Sequence, residues 1–122
     1  MDNNVSINED ELNDVVKQAF DSPSTFTVSF KKPLLYNGQE IYTIEFDLDN
    51  LTGADAIEME REIFAQTRQQ VVAPSFSNEY IIRAAARASR PRIGIDAFKS
   101  MGIGDYNKIR NQVRNFLFIS ES

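Results

Sequence analysis

Apolar and polar residues alternate with a period of two from Thr25 onward, where Phe26, Val28 and Phe30 are separated by Thr27 and Ser29. Successive side chains of a strand point to opposite faces, so this pattern predicts a half-buried β-strand. A second alternating run covers residues 40–49, and its pattern predicts a buried face made of Tyr42, Ile44, Phe46 and Leu48. Between the two lies Asn37-Gly38. Both residue types tolerate positive φ, so this pair predicts a tight hairpin turn. A lone hairpin is not stable in water, and helices must therefore cover one of its faces.

Beyond Leu51 the period lengthens. A helix is expected over about 53–69, with Ile57, Met59, Ile63 and Phe64 as its apolar positions. Thr52 is placed to be its N-cap and Asp55 to answer as the capping-box partner three residues on. After a linker containing Pro74, Ser77 is the expected N-cap of a second helix. There Tyr80, Ile81, Ala84, Ala85 and Ala88 form one stripe, with alanines small enough for close helix packing. Pro91 is expected to close it. A short helix over 95–101 should be broken by Gly102 and Gly104. A last helix should start near Asp105 and carry Tyr106, Ile109, Val113, Phe116 and Leu117 on one face. At the other end, residues 1–8 read as a polar tail, and Leu12, Val15, Val16, Ala19 and Phe20 give 9–20 a helical stripe. A helix that short is marginal in water and needs a surface to dock on. The expected class is α+β: an N-terminal β-hairpin packed against a bundle of three to four α-helices. It comprises a tail (1–25) and one folded domain (26–122).

Composition changes this picture little. At 122 residues and 42% hydrophobic, with nine Phe and four Tyr, the chain suits one folded domain. It has neither cysteine nor histidine, which removes disulfides, thiolate chemistry and the commonest general base. No apolar run approaches the length of a membrane span and the acidic N-terminus lacks the basic start of a signal peptide, so a soluble, cytoplasmic protein is expected. The net charge of −5 is unevenly divided. Residues 1–62 hold 14 acids and 4 bases, whereas residues 63–122 hold 4 acids and 9 bases. The division points either to a two-faced surface for self-association or a partner, or to halves that neutralise each other within the fold.

The chemistry is sparse. No phosphate-binding glycine loop, nucleophile elbow or calcium-loop spacing occurs, and Asp47 and Asp49 read as a solvated acidic strand end rather than metal ligands. Glu58, Glu60 and Glu62 alternate along a helix and are expected to spread around it. No catalytic, cofactor-binding or metal-binding residue is expected, and no enzyme. Arg83, Arg87 and Arg90 follow helical spacing, with Arg92 just beyond. Such a stripe suits phosphates, but the acidic chain and the alanine seam favour pairing with the acidic half or an acidic partner. At the C-terminus, Phe116 and Leu117 are expected in the core, while Phe118 and Ile119 are open between core and an apolar contact site.

One stretch carries more than its physics. Phe46 followed by Leu51-TGAD and an acidic helix with Glu60, the paired strands with Lys31-KP before it, and Phe76-SNEY, Ala84-AARAS and Asn111-QVRNFL after it stand in an order that resembles the tail assembly chaperones of long-tailed bacteriophages and prophages. The resemblance covers roughly residues 30–118; the first 25 residues have no counterpart in it. It implies a non-enzymatic protein that coats the tape-measure protein, a very long helical chain, and helps recruit tail-tube subunits before leaving. It also implies that this chain resembles the short form of a product often extended by frameshifting. Homo-oligomers are compatible with it; membranes and cofactors are not expected, nor is nucleic acid. Interface candidates are Leu51, Thr52 and Asp55 at the junction, Arg83, Arg87 and Arg90 on the second helix, and Phe116, Leu117, Phe118 and Ile119. The alternatives are a structural tail component retained in the virion and a small nucleic-acid-binding regulator using the arginines.

Overall fold

The computed structural model describes residues 23–121; the whole of the expected N-terminal helix (9–20) and all but the last residues of the expected tail (1–25) lie outside them. Strand β1 (Thr25–Tyr36) turns through Asn37 (φ 52°) and Gly38 (φ 78°) into the antiparallel β2 (Gln39–Asp47). Both turn residues are left-handed, as the Asn-Gly pair requires. A two-residue strand, β3 (Ser89–Arg90), pairs antiparallel with β2, giving a sheet of order β1-β2-β3. The β1/β2 register runs from Thr25↔Asp47 to Ser29↔Thr43 and resumes at Leu34↔Ile41. Residues 30–33 therefore bulge opposite Tyr42, at the place where Pro33 has no N–H to give a ladder.

Four helices follow: α1 (Gly53–Thr67), α2 (Asn78–Ala88), α3 (Ile95–Ser100) and α4 (Ile103–Ser120), with 3₁₀ turns at Leu48–Asn50 and Pro74–Phe76. Helix α2 is the hub, packing against α1, α3, α4 and β2. Its stripe of Tyr80, Ile81, Ala84, Ala85 and Ala88 is buried throughout. Val28, Phe30, Ile44, Phe46 and Leu48 meet it from the sheet side, Met59 and Ile63 come from α1, and Ile109, Val113 and Leu117 from α4. Phe26 stacks on Phe46 with ring centroids 5.1 Å apart. The capping expectations hold: Thr52 Oγ1 accepts from the Asp55 amide, the Asp55 carboxylate accepts from the Thr52 amide, and Ser77 Oγ accepts from the Tyr80 amide.

Three expectations change. Tyr42 is 59% exposed rather than part of the buried face; it stands opposite the break in the ladder, so β1 supplies it no directly paired neighbour, and its hydroxyl donates to Glu40. On α1, Met59 and Ile63 are buried but Ile57 is 60% and Phe64 40% exposed. That helix packs chiefly on α2, so only a narrow face is covered. Finally, α4 starts at Ile103, with Gly102 as N-cap and Gly104 inside its first turn, where the Tyr106 amide already donates to the Gly102 carbonyl. Met101 and Gly102, both extended, separate α3 from α4, and Gly104 is not a break. No helix among the described residues is long and apolar enough to cross a membrane.

Candidate protein-binding surface

The arginines of α2 face α1. Asp55, Glu58 and Glu62 stand at i, i+3 and i+7, which places them along one side of α1. Arg87 donates to all three: Nη1 lies 2.9 Å from Asp55 Oδ1 and 3.0 Å from Glu58 Oε1, and Nη2 lies 3.0 Å from Glu62 Oε2. The planar fork of a guanidinium can serve several carboxylates at once in a way an ammonium cannot. Arg83, only 3% exposed, donates to the Glu79 side chain (2.7 Å), the Glu79 carbonyl (3.0 Å) and Gln66 Oε1 (2.7 Å). Its Nε is 3.4 Å from Glu62, an ion pair by distance but without hydrogen-bond alignment. The expectation that Glu58, Glu60 and Glu62 diverge thus fails for the pair four apart, which converges with Asp55 on one arginine.

The electrostatics follow from these contacts. The Thr52 amide, and then Arg87, hold the Asp55 carboxyl below the usual carboxylate range against the opposing effect of burial. Burial alone would lower the Arg87 pKa, but its hydrogen bonds to Asp55, Glu58 and Glu62 outweigh that and raise it. Tyr80 is pushed up by burial, with nearby acids adding to it. Arg90, further along, is 3.6 Å from Asp47 and largely exposed, and Arg92 is exposed at the surface. The ion pairs at Arg83, Arg87 and Arg90 reach back to the acidic half of the chain. Residues 23–122 contain 12 acids and 12 bases, so the whole net charge of −5 resides in residues 1–22.

The sequence-predicted residues therefore separate. Thr52, Asp55, Arg83 and Arg87 come together as the α1–α2 junction, where Thr52 caps and the arginines clamp; Leu51 is half-buried beside it. On α4, Leu117 is buried, Phe116 and Ile119 are half-buried, and Phe118 is 44% exposed. Among the described residues, no group of three or more acids is placed to hold a metal ion.

A surface that sequence reasoning passed over lies at the α3–α4 corner. Ile82, Ile95, Phe98, Met101, Ile103 and Tyr106 line a shallow, almost wholly apolar groove of about 350 Å³, with Lys99 at its side. Ile103 is 78% exposed. Arg110 lies over the Tyr106 ring at 5.8 Å and braces it. A wider cleft of about 790 Å³ adjoins it, with Met101 common to both, between the β1 bulge and the start of α4. Lys31, Lys32 and Lys108 line that cleft, with Asp105 as the one acid among the described lining residues. The Tyr36 hydroxyl accepts from the Gly94 amide at 2.9 Å and ties β1 to this corner. A Cβ on Gly94 would stand 3.0 Å from that hydroxyl, so a side chain there would press on the tyrosine. The helical spacing of Ile95 and Phe98 was visible in the sequence; that Ile103 and Tyr106 join them depends on the turn at Gly102. No protein-family model, curated protein or solved structure matches the chain.

Proposed function

We propose that this protein is a non-enzymatic assembly chaperone of the phage-tail type, which shields apolar stripes of a long helical tape-measure protein until tail-tube subunits replace it. The observation that carries the reading is the apolar groove at the α3–α4 corner, flanked by lysines. An amphipathic helix presents apolar side chains at i, i+3, i+4 and i+7, and a shallow groove of isoleucine, phenylalanine, methionine and tyrosine accepts one such stripe. Contacts of this size are individually weak. Repeated along a filament they hold a client by avidity, and each unit remains removable. The client's identity is supported by the order of motifs that resembles the chaperone family. The arginines offer phosphate little, since Arg83 is buried and Arg87 is committed to three carboxylates.

Co-expression with the long helical product of a neighbouring tape-measure gene tests the proposal. A soluble complex is expected with the native chain, and its loss with Ile103→Asp, a change at a surface position that leaves the core intact. An insoluble client in the presence of the native chain would overturn the reading.

A further inference from the structure

Helix α1 has a second apolar side. Met59 and Ile63 are buried, whereas Ile57 and Phe64 are 60% and 40% exposed. At about 3.6 residues per turn, Ile57 and Phe64 fall within about 20° of each other, on the side turned away from the buried pair. Glu60 and Arg61 flank this stripe, about 50° to either side of it. Both are exposed. Among the described residues neither makes an ion pair or a hydrogen bond, whereas Arg87 takes up Asp55, Glu58 and Glu62 on the inner side. The outer face of α1 thus carries a short apolar stripe with one uncommitted acid along one flank and one uncommitted base along the other.

We propose that this face pairs with the same face of a second copy, the two α1 helices lying parallel and in register about a two-fold axis. Such an axis sets Ile57 against Ile57 and Phe64 against Phe64. It also brings the Glu60 flank of each helix to the Arg61 flank of the other, so one operation makes two ion pairs. Antiparallel pairing would put like flanks together, Glu60 beside Glu60 and Arg61 beside Arg61, and charge opposes it. The charges therefore choose both the occupant and its direction. A helix of 15 residues offers a face about 22 Å long and about 10 Å wide. That falls short of a standard interface of about 1,600 Å² in total, so the dimer is weak and reversible. The α3–α4 groove draws no lining residue from α1, and each copy brings its own. A dimer would hold a repetitive client through two grooves at once. That consequence rests on the chaperone reading; the pairing of α1 does not.

The absence of cysteine makes cross-linking a clean test. Ile57→Cys and Phe64→Cys, each in the full chain, should oxidise to disulfide dimers, because pairing in register sets like positions within the about 4.4–6.8 Å that a disulfide spans between Cα atoms. Val72→Cys, at a position 95% exposed and outside the helix, reports random collision and should stay largely monomeric. Sedimentation of the cysteine-free chain then reads the charges. Glu60→Arg and Arg61→Glu should each weaken dimerisation about tenfold. The double reversal, and an equal mixture of the two single variants, should restore it, which also reports that the substitutions leave the fold intact. Cross-linking no faster than that of Val72→Cys would overturn the proposal and leave the face to another occupant. So would charge reversals without effect, or a mixture of Ile57→Cys and Phe64→Cys chains that cross-links faster than either alone, which is the mark of antiparallel packing. No sample contains the tape-measure client, so failure here and failure of the chaperone reading are distinguishable.

Discussion

Replacing Arg87 by Met isolates what holds α1 to the body. The helix has 15 residues but buries only Met59 and Ile63 fully, so ionic contacts must carry an unusual share of its attachment. Methionine keeps the aliphatic length and has a helix propensity close to that of arginine, so the substitution removes charge and hydrogen bonds rather than helix. It deletes three pairs, at 2.9, 3.0 and 3.0 Å, in which Glu58 and Glu62 have side chains 59% and 44% exposed. Partly exposed pairs contribute about 0.2–1 kcal/mol each. Three sharing one ordered guanidinium suggest about 1.5–2 kcal/mol, and the carboxylates left behind repel one another at i, i+3 and i+4 spacing. The expected loss is about 2 kcal/mol in low salt. At about 1 M salt the screening length falls to about 3 Å, and the loss should shrink to under about 1 kcal/mol. Arg83→Met is the internal control: its guanidinium is 3% exposed, so its destabilisation should persist at high salt. Urea melts are the assay, because guanidinium chloride would itself screen the pairs. If Arg87→Met cost the same at both salt concentrations, or under about 0.3 kcal/mol at low salt, the electrostatic account of α1 would be refuted.

Thr52→Ala removes the cap oxygen that accepts from the Asp55 amide and should lower stability by about 1 kcal/mol, with client binding unchanged when measured on the folded fraction. The Asp55 carboxyl is depressed below its unfolded value, so its contribution is present above pH about 4 and is lost as pH falls through the lower folded value. Acid unfolding followed by circular dichroism should accordingly be shallower in that window for Asp55→Asn than for the native chain, and an unchanged acid limb would contradict the assignment.

Much of the fold was legible because the decisive interactions are local. Asn37-Gly38 fixes its own turn, Thr52 and Asp55 satisfy each other's backbone, and the alanine stripe of α2 needs only to be covered from several sides. What failed depended on neighbours distant in sequence. Ile57 and Phe64 belong to a helical apolar pattern, but among the described residues α1 packs chiefly on α2, and that contact covers less than the pattern offers. Tyr42 continues the alternation of β2, yet burial there required a partner residue that the bulge in β1 removes. The candidate site divides in the same way. The spacing of Asp55, Glu58 and Glu62 on one helix and of Arg83 and Arg87 on another was open to inspection, but their meeting spans 25–32 residues for Arg87 and is a tertiary fact. The groove was the least legible element, since it exists only because α4 begins one residue after Gly102 and swings Ile103 and Tyr106 beside Ile95 and Phe98.

The division of labour between the two kinds of cation then bears on what the surface can recognise. Arginine occupies the α1–α2 seam, where several acceptors must be met at fixed angles, and there it is already satisfied. Lysine lines the α3–α4 corner, where Lys31, Lys32, Lys99 and Lys108 are exposed. A lysine head is compact, hydrated and flexibly borne, suited to a diffuse acidic flank rather than to a defined bidentate partner. An occupant of the corner is thus selected mainly by its apolar stripe, with acids beside that stripe adding steering and orientation. An acidic amphipathic helical client would meet both requirements. Under the proposed chaperone function, a groove that selects a pattern rather than a sequence would suit repeated, reversible coating of a long helical chain, because no single segment must match and none is held too tightly to be replaced.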